Sequence, residues 1–73
     1  MRIEYSRSID AAYIYLVETE PGSADYTYPC NVLETGFELN LDFDAQRRLI
    51  GIEVHAASKH LPKALLEKAK LIS

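Results

Sequence analysis

The sequence predicts an α+β fold, an antiparallel β-meander of four to five strands with a C-terminal α-helix packed on one face. Two patterns lead to this prediction. Apolar and polar residues alternate with a period of two through most of the first 55 residues, as in strands that bury one face. The period then changes to that of a helix. The 73 residues are enough for a single domain.

Five strands are expected, each bounded by polar, proline or glycine residues that favour turns. They cover about 2–5, 11–18, 25–33, 37–43 and 48–55. The clearest alternation is in the fourth segment, where Phe and Leu alternate with Glu, Asn and Asp. Pro29 lies inside the third segment and has no N–H to donate, so this strand is predicted to be an edge strand or to be interrupted.

The C-terminal helix is expected over about 62–71. Pro62 suits the first position of a helix, and Ser58 can cap a short turn that precedes it. The apolar residues that follow at helical spacing are Leu61, Leu65, Leu66, Ala69 and Ile72. An apolar stripe of this kind needs a surface to cover, and the apolar face of the sheet provides one.

The small size of the chain predicts that it needs a partner. A domain of this length buries only about 60% of its unfolded surface, and mini-proteins usually compensate with disulfides, metals or oligomerisation. Cys30 is the single cysteine, so an intrachain disulfide is excluded and a reducing compartment is favoured. The few metal-binding side chains make a structural metal improbable. A homodimer, or a complex with a small protein partner, is therefore expected.

Charge and hydropathy argue against a membrane or nucleic-acid role. No signal peptide is recognisable, and no apolar run could span a bilayer, so a cytoplasmic location is expected. Residues 1–58 hold ten of the eleven acidic residues and four of the eight basic ones. An acidic sheet is a poor match for phosphate backbones. The lysines of 59–73 are explained by their favourable interaction with the end of a helix.

Three sets of residues could support chemistry, and each has a simpler explanation. Cys30 with a histidine could form a thiol nucleophile, but a buried apolar role is expected because Cys30 follows a proline and shares a face with tyrosines. Glu53 and His55 share a strand face, with His60 just beyond, and could hold a divalent metal, although a solvated strand end has the same composition.

The third set consists of carboxylates, Glu38, Asp42 and Asp44, which an exposed strand face would also contain. The three glycines are isolated, so there is no phosphate-binding loop. No catalytic residue, metal or cofactor is therefore predicted, and the protein is not expected to be an enzyme.

Tyrosines are the most informative feature, with five in the chain. The four residues predicted to form an interface are Tyr13, Tyr15, Tyr26 and Tyr28. Tyrosine is enriched at protein interfaces, whereas a base-stacking platform would also need interleaved cations. A non-enzymatic interaction or oligomerisation module is the preferred function. The alternative is a small-ligand or nucleic-acid binder that combines the tyrosines with the Lys-rich helix. A minor third possibility is an enzyme built from Glu53, His55 and Cys30.

Several segments in order resemble a known family of small prokaryotic proteins. They are Ile3-Glu4-Tyr5, Asp10-Ala11-Ala12-Tyr13-Ile14, Leu41-Asp42-Phe43-Asp44, Arg48-Leu49-Ile50-Gly51-Ile52-Glu53-Val54 and Ala57-Ser58-Lys59. The chain resembles the domain of unknown function 2283 in these segments. The resemblance implies a small β-meander with a terminal helix and no known activity. Members beside small toxin-like genes imply at most a partner-binding or antitoxin-like role. The chain departs from the family pattern at Gln46-Arg47, where a glycine is expected, and in its aromatic segment 26–29.

Overall fold

A computed structural model of the protein describes residues 1–20, 22–32 and 36–73, and of Val32 only the backbone. Within these ranges the chain forms six strands and two short helices. In chain order they are β1 (Arg2–Ser6), β2 (Ala11–Tyr15), β3 (Tyr26–Val32), β4 (Phe37–Phe43), β5 (Leu49–His55), α1 (Ala57–His60), α2 (Lys63–Lys68) and β6 (Lys70–Leu71). Residue 33, the expected end of the third strand, lies outside the described residues.

All described strands belong to one sheet with the order β3-β4-β5-β2-β1-β6. The β1–β2 hairpin joins the β3-β4-β5 meander through antiparallel pairing of β2 with β5. β6 pairs with β1 in parallel. The α+β class is confirmed, as is the edge position of β3. The finer prediction of four to five antiparallel strands is wrong, because the described part of the sheet is mixed and has six strands.

The predicted helix over 62–71 is shorter in the structure, because the chain becomes extended at Ala69. The outer edge of β1 offers unpaired backbone groups there. The N–H of Ile72 donates to the carbonyl of Tyr5 at 2.9 Å, and the N–H of Arg7 donates to the carbonyl of Ser73 at 3.0 Å. These backbone hydrogen bonds to β1 favour the extended conformation over the helix that the periodicity of the segment predicts. The periodicity of a segment does not show which other strand lies beside it.

The two faces of the sheet differ sharply in charge. Residues paired across neighbouring strands share a face, so the registers assign each side chain. The apolar face of the described strands has no charged residue; it comprises Ile3, Tyr5, Ala12, Ile14, Tyr26, Tyr28, Cys30, Phe37, Leu39, Leu41, Phe43, Leu49, Ile52, Val54 and Leu71. The polar face contains Arg2, Glu4, Ser6, Ala11, Tyr13, Tyr15, Thr27, Pro29, Asn31, Glu38, Asn40, Asp42, Gly51, Glu53, His55 and Lys70.

The hydrophobic core is small and lies at one end of the apolar face. Its buried centre is formed by Ala12, Val54 and Ala57, against which Leu61 and Leu66 pack. Both helices therefore lie over the end of the sheet where β5 finishes. Among the described side chains, Val54 is the largest that is fully buried. The molecule is flat, with extents of 32 × 29 × 18 Å.

The β4–β5 hairpin closes without the glycine that the family pattern suggests. Arg47 adopts the left-handed conformation with φ 64° in its place. The Asp44 carboxylate accepts hydrogen bonds from the backbone N–H groups of Gln46 and Arg48, both at 2.9 Å. Arg48 also donates from Nε to Asp44 at 2.8 Å. A side chain thus supplies the bonds that stabilise this turn.

Candidate functional site

The four tyrosines of the predicted interface lie on opposite faces of the sheet. Tyr13 and Tyr15 belong to the polar face, where they pair with Glu53 and with Gly51 in β5. Tyr26 and Tyr28 lie on the apolar face in the edge strand β3. The four side chains therefore cannot form one continuous surface, and the two pairs define two separate candidate sites.

The first site is an uncovered part of the apolar face, which we name the tyrosine patch. It consists of Tyr26, Tyr28, Leu41, Phe43 and Leu49. These residues come from the end of the sheet at which β4 finishes and β5 begins. The helices lie over the opposite end, against Val54 and Phe37. The patch is thus the part of the apolar face farthest from the cover that the helices provide.

Exposure confirms that the patch is open to solvent. Tyr26 is 42% exposed, Tyr28 50% and Leu49 38%. The rings of Tyr28 and Phe43 pack edge to face at a centroid distance of 5.5 Å, a favourable arrangement for an aromatic pair. The Arg47 guanidinium lies 5.7 Å from the ring centroid of Tyr26. The patch is therefore apolar and aromatic, with one cation at its border.

The second site is a cleft of about 440 Å³ over the polar face, which we name the polar cleft. Its lining comprises Glu4, Tyr13, Tyr15, Gly22, Thr27, Asn40, Asp42, Glu53 and Ile72. The carboxylates are distributed among aromatic rings and amide or hydroxyl groups. Because the lining comes from five strands and from the segments that follow β2 and β6, it exists only in the folded sheet.

Tyr13 and Gly51 form the floor of the polar cleft. The Tyr13 ring crosses over Gly51 in β5, and its hydroxyl donates to the Asp42 carboxylate in β4. A Cβ atom at position 51 would lie 2.2 Å from the Tyr13 hydroxyl oxygen and 2.6 Å from its Cζ. A glycine is therefore required for this close approach inside a strand.

The other polar groups of the cleft also pair with one another. Asp42 accepts a further bond from the Thr27 hydroxyl at 2.7 Å, and Asn40 donates to Glu53 at 2.8 Å. The Glu4 carboxylate accepts bonds from Tyr15 at 3.1 Å and from Arg2 at 2.8 Å. The polar groups of the lining are thus bonded in three separate sets, centred on Asp42, on Asn40 and on Glu4, and these bonds rigidify this face of the sheet.

The Arg2 guanidinium stacks on the buried ring of Tyr15 at 3.8 Å from its centroid. Its Nε is the buried side-chain polar atom that has no hydrogen bond in the described part of the chain. That atom lies 3.6 Å from a Glu18 carboxylate oxygen, close enough for an ion pair. The stack and the two ion pairs fix Arg2 at the rim of the cleft.

The phenols of the cleft remain protonated at neutral pH. Burial raises the pKa of Tyr13 far above its usual value, and the hydrogen bond to Asp42 raises it further. Burial also raises the pKa of Tyr15, with a contribution from its hydrogen bond to Glu4. Both hydroxyls are therefore hydrogen-bond donors, which suits a structural network better than proton abstraction.

Comparison with known proteins identifies the family of the chain. The family model described as "Protein of unknown function (DUF2283)" matches residues 2–58. The chain belongs to this family. The comparisons find no similar curated protein and no similar solved structure. The resemblance inferred from the sequence is thereby confirmed.

The segments that resemble the family meet in two places in the structure. One is the Tyr13–Gly51–Asp42 contact of the polar cleft. The other is around Asp10, whose carboxylate accepts bonds from the hydroxyl of Tyr5 at 2.7 Å and from the hydroxyl of Ser58 at 2.7 Å. The Ser58 N–H also donates to Asp10, at 3.0 Å.

Asp10 supplies the cap that α1 lacks within its own segment. The N-cap residue of this helix is Ala56, whose side chain cannot accept a hydrogen bond from the first helical N–H groups. The backbone carbonyl of Asp10 accepts from the N–H of Ala57 at 2.9 Å, so the β1–β2 turn satisfies the first helical donors. The hydrogen bonds from Ser58 and then from Tyr5 lower the pKa of Asp10. The hydrogen bond between Tyr5 and Asp10 also raises the pKa of Tyr5.

The residues considered for catalysis or metal binding are divided between the two faces of the sheet. Cys30 pairs with Leu39 on the apolar face, whereas Glu53 and His55 lie on the polar face with their side chains 3.3 Å apart. His60 stacks on the ring of Phe37 at 4.3 Å, on the apolar side. The enzyme that the sequence suggested from Glu53, His55 and Cys30 would need these groups on one face.

The three candidate carboxylates have separate surroundings. Asp42 belongs to the polar cleft, Glu38 lies exposed on the same face, and Asp44 closes the β4–β5 turn. Over the described ranges, no three His, Cys, Asp or Glu residues are arranged to hold a metal ion.

The lysines and the tyrosines of the alternative function are also separated. α2 packs through Leu66 on the apolar side, opposite Tyr13 and Tyr15. Lys63 lines a groove with Leu66 and Tyr5, at the edge of the sheet away from β3. Neither described helix has the length and hydrophobicity of a membrane span.

Gly51 and Asp10 have structural roles that the sequence patterns above did not predict, although each position carries a signal in the sequence. A glycine between Ile50 and Ile52, in the interior of a strand, indicates close approach of another group. Asp10 has φ 52° and follows a polar turn, which is a position that aspartate tolerates better than most residues. In both cases the sequence marks an unusual backbone position, but the contacting partner lies on another element.

Proposed function

We propose that this protein is a non-enzymatic, self-associating interaction module of the reducing cytoplasm, and that two copies pair through the tyrosine patch. The observation that supports this proposal best is the open, uncharged end of the apolar face. Tyr26 and Tyr28 stand exposed there beside half-buried Leu41 and Phe43. Large exposed apolar patches on small proteins are typical of interaction surfaces.

The total surface of the chain supports the same conclusion. It exposes 5135 Å², whereas a compact monomer of 8.3 kDa is expected to expose about 4600 Å². The excess of roughly 500 Å² is close to what each partner buries in a small protein–protein interface. Interfaces at this small end of the range are typical of weak, transient association.

The distribution of charge favours a second copy as the partner. The polar face contains Glu4, Glu38, Asp42 and Glu53 against Arg2 and Lys70, so two such faces would repel each other. Two tyrosine patches can meet without burying any strand charge. The apolar face is therefore the surface on which identical chains can associate at least electrostatic cost.

Sedimentation velocity across the micromolar range tests the proposal. The wild type is expected to shift from monomer to dimer as concentration rises. The double variant Tyr26→Ser/Tyr28→Ser should remain monomeric at every concentration, because it removes the exposed aromatic area. Leu71→Ser is the matched control: Leu71 and Tyr28 are both 50% exposed and share the apolar face, but they lie at opposite edges of the sheet.

Circular dichroism melts should accompany the sedimentation experiments, so that a loss of dimer is not confused with unfolding. A wild type that stays monomeric to the highest concentration would refute self-association. A dimer that persists in the folded double variant, or that disappears in the Leu71→Ser control, would show that the interface lies elsewhere.

A further inference from the structure

We infer that the dimer forms face to face and closes at two copies, because Pro29 prevents the outer edge of β3 from pairing with another strand. This inference rests on the proposed self-association and specifies its geometry. The tyrosine patch and the β3 edge are adjacent surfaces, and both could attract a second copy. The two modes lead to different assemblies: a closed pair in one case, and a continuous sheet in the other.

The unpaired edge of β3 is the main alternative interface. β3 is the outermost strand beside β4, and at the opposite edge the two-residue strand β6 includes Lys70. Short edge strands with lysine are poor templates for strand addition. β3 has seven residues and therefore offers the longer of the two edges.

Pro29 lies at the centre of this strand, opposite Asn40 of β4. A proline is accommodated inside a strand when its nitrogen points away from the ladder. Because backbone groups alternate in direction along a strand, the N–H groups of Thr27 and Asn31 point to the same open side. The open edge therefore has a donor on each side of the proline and none at its centre.

This gap weakens pairing of β3 with a second β3. In an antiparallel pair, two opposed residues exchange both of their backbone hydrogen bonds. If the pair were centred on Pro29, both central bonds would be lost. If it were shifted along the strand, each Pro29 would still leave one carbonyl of the other chain without a donor. Strand addition would thus bury unpaired polar groups at the middle of the contact.

Contact through the tyrosine patch does not have this cost. It buries side chains rather than backbone groups, and the same patch on each copy makes a two-fold interface. A two-fold contact uses the patch of both chains, so the assembly cannot grow by repeating it. Both polar clefts, which lie on the other face, remain open to solvent on opposite sides of the dimer.

Amide hydrogen exchange measured by NMR distinguishes the two modes. The amides of Thr27 and Asn31 should exchange at nearly the same rate in the monomer and the dimer, with a change below about twofold. Edge pairing would instead slow them by about tenfold or more once the dimer is the main species. Slowed exchange at these two amides in a confirmed dimer would overturn the inference.

A Pro29→Thr substitution tests the same point by restoring the missing donor. We expect this variant to form species larger than a dimer in sedimentation velocity, because both the patch and the edge can then pair. Asn31→Thr is the matched control: it places the same residue on the same edge without adding an N–H group, and it should stay dimeric. A Pro29→Thr variant that stops at the dimer would contradict the role given to Pro29.

The outcomes separate this inference from the function on which it rests. A wild type that is monomeric, or a dimer that survives loss of the two tyrosines, contradicts the proposed function. A dimer that depends on the tyrosines, but in which the β3 amides become protected, contradicts the inference and leaves the function in place.

Discussion

The two faces of the sheet differ in how completely their side chains find partners within the monomer. On the polar face, Tyr13, Asp42 and Glu53 bind their neighbours through direct hydrogen bonds. On the apolar face, the helices cover the end near Val54, and the tyrosine patch stays in solvent. Two short helices of four and six residues cannot cover a sheet of six strands.

This difference shows why composition alone misjudges the site. Both faces contain tyrosines, but Tyr15 is 4% exposed, whereas Tyr28 is 50% exposed. A tyrosine whose hydroxyl is hydrogen-bonded and whose ring is packed within the same chain stabilises the monomer. A tyrosine left in solvent on an uncharged face is available to a partner. The predictions below test this contrast, from the largest expected effect to the smallest.

Gly51→Ala should destabilise the monomer most. The added Cβ would overlap the Tyr13 ring, so the ring must move and its bond to Asp42 is lost. Overpacking together with a broken hydrogen bond is expected to lower the free energy of unfolding by about 2–3 kcal/mol. Urea denaturation measures this change at a concentration where the protein is monomeric.

The Tyr13→Ala background provides the control for this substitution. With the ring removed, the added methyl group has room, so Gly51→Ala should lower the free energy of unfolding much less than it does in the wild type. Equal costs in the two backgrounds would show that Gly51 has a role unrelated to Tyr13.

Removing one hydroxyl from each face sharpens the comparison. Tyr13→Phe should lower the free energy of unfolding by about 1–2 kcal/mol, because the hydroxyl donates to a carboxylate. Tyr28→Phe should change it by less than about 0.5 kcal/mol, as expected for an exposed position. Thermal melts of the two variants measure the difference, and similar losses for both would remove the distinction between the faces.

Arg47→Gly should stabilise the monomer slightly. A non-glycine residue in the left-handed conformation is strained, and glycine relieves the strain at this turn for a gain of about 1 kcal/mol. Arg47→Ala retains the Cβ and should give no such gain. Chemical denaturation of both variants measures the effect, and an equal gain in both would indicate that the Arg47 side chain, and not its backbone conformation, is unfavourable.

Acidification below about pH 4 should have the smallest effect. Hydrogen bonds from Ser58 lower the pKa of Asp10, and those from the Arg48 backbone lower the pKa of Asp44. The stability that these bonds provide is therefore complete above the unfolded pKa of about 4 and is lost as pH falls through the lower folded values. Solvent screens both groups, so the loss is modest.

Melting temperatures recorded over decreasing pH check this prediction, with Asp10→Asn as the comparison. The variant should melt lower than the wild type at neutral pH, and the two curves should approach each other in acid. A constant gap at all pH values would show that the Asp10 charge does not contribute.

Much of the sheet follows from local pattern, and less of the site does. The alternation from Phe37 to Phe43 is enough to predict β4, and the missing N–H of Pro29 is enough to predict an edge strand. β6 could not be predicted, because residues 70–71 continue a helical pattern and are extended only where β1 offers an open edge. The Asp10–Ser58 contact joins residues 48 positions apart, a distance over which local periodicity gives no information.

The sequence by itself determined which side chains of any one strand share a face, because a strand alternates with a period of two whatever it pairs with. It also determined the uncharged character of one face and the break at Pro29. It did not determine which faces of different strands coincide, so the opposite positions of Tyr15 and Tyr28 emerged only from the register. Only the tertiary structure decided how much of that face the helices cover. The covered area depends on where β5 ends and the helices begin, and on the position at which the chain leaves α2 to pair with β1. That placement left Tyr26 and Tyr28 in solvent. Tyr15 is buried on the other face, where the Arg2 guanidinium stacks on its ring, a contact that also depends on the pairing of β1 with β2.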